Sequence, residues 1–112
     1  MTLVPGAVVW ATLGPGSGRE QDGRRPAVVI SSLDYLDVVD TLAVVVPVTT
    51  RERGWVNHVP LHGELALPDP SWAVTEQPVT INRDRIHRSL GVVDDACLAR
   101  IRALVATFLD LR

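Results

Sequence analysis

Apolar residues fall in short uninterrupted runs through the first half of the chain and at helical spacing near its end. Val8-Val9-Trp10-Ala11-Thr12-Leu13 predicts a first strand, Ala27 to Ser31 a second, and Thr41 to Thr49, the most apolar stretch, a third. Pro47 near the end of that third run marks an edge strand or a bulge, because proline cannot donate to a ladder. Leu33 to Val39 fits a helical turn before Asp40. Val56 to Leu61, interrupted by Pro60, reads as a fourth strand, and Trp72 to Thr75 and Val79 to Ile81 as short ones. Residues 14 to 25, opened by Gly14-Pro15-Gly16-Ser17-Gly18, form a long polar loop of the kind that carries function in compact domains. His62 to Ser71, with Pro68 and Pro70, reads as a second loop. From Asp94 the period changes: Leu98, Ile101, Leu104, Val105, Phe108 and Leu109 lie on one helical stripe, with Asp94 as the N-cap of a helix of about four turns. Short twisted strands closed by a terminal helix give a mainly β fold with α, a small SH3-like β-barrel, as a single domain over residues 1–112.

Composition narrows the functional classes. Apolar residues make up 46% of 112 residues, too many for intrinsic disorder, yet no run approaches a membrane span. Met1-Thr2-Leu3-Val4-Pro5-Gly6 lacks a charged leader, so a cytoplasmic location is expected. Cys97 is the single cysteine, which excludes an internal disulfide and reads as a small apolar helix residue. The net charge of −2 argues against a uniformly basic nucleic-acid binder. All eleven cations are arginine, however, and they cluster as Arg19, Arg24 and Arg25; Arg51 and Arg53; and Arg83, Arg85 and Arg88. A GC-rich genome accounts for the bias, but a local basic groove on a mildly acidic body also fits.

The chemistry concentrates where the second and third runs begin and end. Gly18-Arg19-Glu20-Gln21-Asp22-Gly23-Arg24-Arg25-Pro26 leads into Ala27-Val28-Val29-Ile30, and the run from Leu42 to Val48 ends in Thr49-Thr50-Arg51. Buried strands can hold Arg25 and Thr49 close together, and a permanently charged fork beside a hydroxyl suits the charge that develops on a phosphoryl group. The plain structural alternative is an Arg25 salt bridge to Glu20 or Asp22, with Thr49 as a strand-end hydroxyl. Three histidines, His58, His62 and His87, read as surface residues, because a strand broken by Pro60 does not place His58 and His62 as a helical pair. The same spacing disfavours a metal site. Trp55, beside Arg53 and Gly54, is the tryptophan best suited to stack on a base, whereas Trp10 and Trp72 read as core or interface.

These motifs resemble the MazF/PemK family of toxin endoribonucleases. The resemblance rests on Val8-Val9-Trp10, on Glu20-Gln21-x-Gly23-x-Arg25-Pro26 with the following Ala27-Val28-Val29-Ile30-Ser31, on Val46-Pro47-Val48-Thr49-Thr50, on Glu76-Gln77 with Ile81, and on the helix after Gly91-Val92-Val93. It implies the toxin of a type II toxin–antitoxin system, an endoribonuclease that cuts single-stranded RNA without a metal or other cofactor. In that reaction the 2′-hydroxyl attacks the adjacent phosphate, leaving a cyclic phosphate and a 5′-hydroxyl. The implied catalytic residues are Arg25, Thr49 and Glu20. Expected RNA contacts are Arg19, Gln21, Arg24, Thr50, Arg51, Trp55, Gln77, Arg83 and Arg85. Pro78 and Val79 follow Gln77 where the family often carries a basic residue, so Arg83, Arg85 or Arg88 is the expected compensating cation. The resemblance also implies a homodimer and a cognate MazE-like antitoxin whose flexible segment fills the RNA groove, with no membrane partner. Two other readings stand beside it: a noncatalytic gyrase poison resembling CcdB, although the chain ends Phe108-Leu109-Asp110-Leu111-Arg112 without that type's terminal tryptophan, and an SH3-like module that binds RNA or peptide without cutting.

Overall fold

The computed structural model describes residues 2–14 and 23–111. Among the described residues, eight strands and two α-helices follow in chain order: β1 (Ala7–Thr12), β2 (Arg24–Val29), α1 (Leu33–Val38), β3 (Leu42–Thr49), β4 (His58–Pro60), β5 (Gly63–Leu65), β6 (Trp72–Val74), β7 (Val79–Asn82), a 3₁₀ turn (Arg83–Arg85), β8 (Ile86–Val93) and α2 (Asp95–Phe108). The strands form one curled antiparallel sheet in the order β4-β6-β3-β2-β1-β8-β5, and β7 also pairs with β3.

The sheet is buried on both faces, and the pleat sorts the residues. Val8 of β1, Val28 of β2 and Val46 and Val48 of β3 face one core, where Cys97, Ile101 and Val105 of α2 cover them. Their neighbours Val9 and Ala11, Ala27 and Val29, and Ala43 and Val45 face a second core with Leu3, Leu36 of α1 and Ile81 of β7. Successive side chains point to opposite faces, so a strand covered on both sides is apolar at every position. That is why the first three strands read as uninterrupted runs.

Pro47 marks neither an edge nor a bulge. The third strand is central, with β2 on one side through Ala27–Pro47, Val28–Val46 and Val29–Val45. On its other side β7 pairs as far as Val45–Val79 and β6 starts at Val48–Ala73. Pro47 therefore falls in the interval where that side changes neighbour, where no ladder pair is interrupted.

Both helices begin on side-chain caps. Ser32 Oγ accepts from Tyr35 N at 3.1 Å, and Asp94 Oδ1 accepts from Cys97 N at 2.8 Å, each satisfying an otherwise unpaired first-turn amide. Arg102 then ties α2 to the sheet, with Nε donating to Ile30 O at 3.0 Å and Nη2 to Ser31 O at 3.3 Å. Two strands go beyond the sequence expectation. The segment read as a loop after His62 contains β5, and Ile86–Val93 forms β8, which pairs with both β1 and β5. Leu90 and Val93 are the buried residues of β8, and the rest of the strand is exposed or half-buried, so it carries little apolar signal.

Candidate active site

Strand pairing sets the site. Continued two residues past Ala27–Pro47, the β2–β3 register places Arg25 opposite Thr49. Arg25 Nη2 donates to Val48 O at 3.2 Å, which fixes the guanidinium beside the strand end that bears Thr49. Thr49 Oγ1 accepts from Arg51 N at 3.1 Å. A hydroxyl that accepts in this way keeps its O–H for donation. The two residues line one open cleft of about 550 Å³, together with Arg53, Trp55, His58, Glu76 and Gln77. Arg25 and Gln77 also line a smaller neighbouring cleft with Gly23 and Pro78.

The far wall is built from the paired strands β4 and β6 and the turn after β6. His58 pairs with Val74 between those strands. Thr75 Oγ1 donates to Asn57 O at 2.6 Å, and Gln77 N to Val74 O at 3.2 Å. The Glu76 carboxylate accepts from Asn57 Nδ2 on one oxygen at 2.7 Å and meets His58 Nε2 on the other at 3.2 Å. Burial works to raise the Glu76 pKa, but hydrogen bonds from its own backbone amide, His58 and Asn57 and the charge of His58 outweigh it, so the carboxyl lies below its ordinary value. Above this pair, Trp55 packs on His58 with ring centroids 4.9 Å apart at 58°, and Arg53 Cζ lies 4.9 Å from the Trp55 centroid.

His58 corrects the surface assignment for the histidines. It is 6% exposed and contributes to the cleft wall. Its partner lies 18 residues away in the sequence, and no local spacing announces it. His62 and His87 are exposed as expected, His87 Nε2 lying 2.8 Å from Thr12 Oγ1.

Of the expected RNA contacts, Trp55 and Gln77 join Arg25 and Thr49 in the cleft. Arg83 does not line this cleft. Its guanidinium caps the end of α1, donating to Leu36 O, to Val39 O at 3.1 Å and, through Nε, to Leu42 O at 3.0 Å. Thr50 and Arg88 line a separate, mainly apolar cleft with Trp10 and Leu67. Arg24 is exposed opposite Thr12 on β1, Arg85 is exposed on the 3₁₀ turn, and Arg51 is exposed beyond Thr49, all outside the cleft lining. Arg19, Glu20 and Gln21 lie outside the described residues. Sequence reasoning missed Arg53 and the Glu76–His58 pair as parts of the site. Among the described residues, no group of three or more His, Cys, Asp or Glu is arranged to hold a metal ion, and no helix is long and apolar enough to cross a membrane.

Known proteins share this architecture. The chain is 37% identical over 59 residues to the endoribonuclease toxin MazF of Escherichia coli K12, an alignment covering 53% of this chain and 52% of the relative, so it spans about half the length of the curated relatives it matches. The crystal structure of MazF from Deinococcus radiodurans superposes with a TM-score of 0.81 at 28% identity over 99% of both chains. A MazE–MazF complex from the same organism gives a TM-score of 0.79 at 28% identity, covering 98% of this chain and 97% of that one. The family model described as "PemK-like, MazF-like toxin of type II toxin-antitoxin system" matches residues 5–109, from the segment before β1 to the end of α2, and the chain belongs to that family.

Proposed function

We propose that this chain is the toxin of a type II toxin–antitoxin system and acts as a metal-independent endoribonuclease on single-stranded RNA. The observation that carries the reading is the placement of Arg25, hydrogen-bonded to Val48 O, beside Thr49 in one open cleft. RNA supplies its own nucleophile. The 2′-oxygen attacks the adjacent phosphorus, the bond to the 5′-oxygen breaks, and a cyclic phosphate and a 5′-hydroxyl result. The protein must hold the 2′-oxygen in line and stabilise the extra charge on the phosphorane. A guanidinium fixed in place does the second task without reorganising, and its high pKa makes it a stabiliser rather than a proton shuttle. The Thr49 O–H donates to a nonbridging oxygen or holds Arg25. Glu20 is the proposed general base, a role worth roughly 10²–10⁴-fold when positioned.

Family membership and the likeness to a MazE–MazF complex support a cognate MazE-like antitoxin; the proposal includes a cytoplasmic homodimer whose RNA groove is filled by the antitoxin's flexible segment. The test is incubation of purified protein with a long unstructured RNA in EDTA, followed by mapping of the new ends, with Arg25→Ala and Thr49→Ala in parallel. Discrete cuts with 5′-hydroxyl ends that vanish in both variants are expected. A folded wild-type protein that leaves the RNA intact sinks the reading and makes gyrase the next target to test.

A further inference from the structure

Glu76 occupies a place that neither the phosphate chemistry nor strand pairing requires. It joins the segment before β4 to the turn after β6, at the cleft end of the β4–β6 pair. One carries Arg53, Trp55, Asn57 and His58, and the other carries Gln77. The joint is dense: Thr75 N and Oγ1 both donate to Asn57 O, at 3.3 and 2.6 Å, Asn57 Nδ2 donates to Glu76 Oε1, and His58 Nε2 faces Glu76 Oε2. With Nε2 committed to the carboxylate, His58 Nδ1 is buried without a partner among the described residues. Buried unpaired nitrogens are uncommon in folded proteins, so this one calls for an explanation. Here the ring it belongs to supports Trp55, whose indole is 50% exposed and faces the cleft with Arg53 beside it.

We propose that Glu76 is a positioning residue for RNA. Through His58 it holds the Arg53–Trp55 stack as a platform for one unpaired base, next to the phosphate site at Arg25 and Thr49. This inference rests on the ribonuclease reading for its substrate class and adds a base subsite to it. Unpaired bases stack on aromatic rings and on guanidinium planes, and this stack offers both surfaces side by side. The hydrogen bonds that orient His58 also fix the segment leading directly into Gln77, so the platform and the amide stand in a set relation to each other.

The test is binding of a fluorescently labelled unstructured RNA, followed by anisotropy at moderate salt, for the wild type, Trp55→Ala, Glu76→Ala, Trp55→Ala/Glu76→Ala and Glu76→Gln. Cleavage of the same RNA is measured alongside for KM and kcat, and thermal melts confirm that each variant is folded. Trp55 is half-exposed, so its removal leaves the core intact. Stacking of one base predicts roughly tenfold weaker binding for Trp55→Ala. Glu76→Ala should match it. The double variant should be no weaker than about the worse single one, because both changes remove the same platform. The KM should rise in parallel, with kcat within about twofold of the wild type, as expected for loss of binding made equally in the ground and transition states. Glu76→Gln should recover most of the affinity, because the Asn57 amide can turn over and let glutamine keep both contacts. Wild-type-like binding by Trp55→Ala or Glu76→Ala overturns the proposal, as does a Glu76→Gln variant as weak as Glu76→Ala. A wild type that binds RNA without cutting it refutes the ribonuclease reading and leaves the subsite standing. A wild type that binds no RNA refutes both.

Discussion

Glu76 Oε2 and His58 Nε2 meet at 3.2 Å across the cleft wall, and the pair gives folding a defined pH dependence. The Glu76 carboxyl is held below its ordinary value of 4.5, with hydrogen bonds from its own amide, His58 and Asn57 overcoming the opposing effect of burial. A carboxyl depressed in the folded state binds protons more readily when unfolded. Its contribution is therefore complete above the unfolded value and is lost as pH falls through the folded one. Urea unfolding from about pH 6 down to about pH 3 should show the wild type losing more stability than Glu76→Gln below 4.5. A stability difference between the two proteins that stays constant over that range would refute the linkage.

Arg25 has two tasks under the proposed mechanism, because one arm of its fork is engaged by Val48 O while another must face the phosphate. Lysine has a point charge and no fork, so Arg25→Lys should lower kcat by roughly 10²–10³-fold, the usual cost of removing one donor aimed at transition-state charge. Thr49→Ser keeps the hydroxyl and should stay near wild type, whereas Thr49→Val should fall with Arg25→Lys. Full activity in Thr49→Val would remove Thr49 from the chemistry.

Arg83 shows how a cation that reads as an RNA contact can belong to the fold. Its guanidinium donates to three carbonyls, those of Leu36, Val39 and Leu42, at the junction of α1 and β3. Hydrogen bonds from a charged donor contribute about 1.5–3 kcal/mol where they are partly buried. Arg83→Ala should therefore lose about 1–3 kcal/mol in chemical denaturation and retain RNA affinity. Unchanged stability with weakened RNA binding would restore Arg83 to the groove.

The parts of the fold that were legible are those with a covered surface on each side. β1, β2 and β3 place valines and alanines on both faces, and α2 carries Ile101 and Val105 on one stripe, so period alone finds them. β8 is illegible because Arg88 and Ser89 are exposed and only Leu90 and Val93 are buried. The site divides along the same line. Arg25 and Thr49 are legible because they terminate strongly patterned strands. The His58–Glu76 pair arises from the β4–β6 pairing, whose short strands are separated in the chain by β5 and a proline-bearing loop, and nothing within a few residues of His58 identifies its carboxylate. The carbonyl partners of Arg83 are illegible because charge clustering along the sequence does not show whether an arginine faces water or caps a helix.

Gly91 is the residue on which the outer sheet edge depends. It has φ +125 and stands opposite Leu65 in the β5–β8 pair, and a Cβ there would overlap the Glu64 carbonyl oxygen. The obstacle is the β5 backbone at Glu64 and Leu65, which cannot yield without losing the pairing. Gly91→Ala should destabilise by about 3 kcal/mol or more, at the severe end for a point substitution. A melting temperature within a degree or two of wild type would show that β5 can detach at little cost.

Cys97 provides a test of α2 docking that leaves the cleft untouched. Its thiol sits under Pro60, with Sγ donating to the carbonyl at 3.5 Å. Burial pushes its pKa up, the nearby Asp94 charge adds to this, and a backbone hydrogen bond from His62 opposes it only in part. The thiolate is the reactive form, so the cysteine is both shielded and held in its unreactive state. In the native protein an aromatic disulfide reagent at mildly alkaline pH should react only as fast as α2 detaches or the chain unfolds, and denaturant should release one equivalent at once. Reagent uptake should then accelerate in Arg102→Ala, which loses the bonds from Arg102 to Ile30 O and Ser31 O that hold the helix to the end of β2. Rapid stoichiometric labelling of the folded wild type would mean that α2 does not cover the β4 end of the sheet in solution.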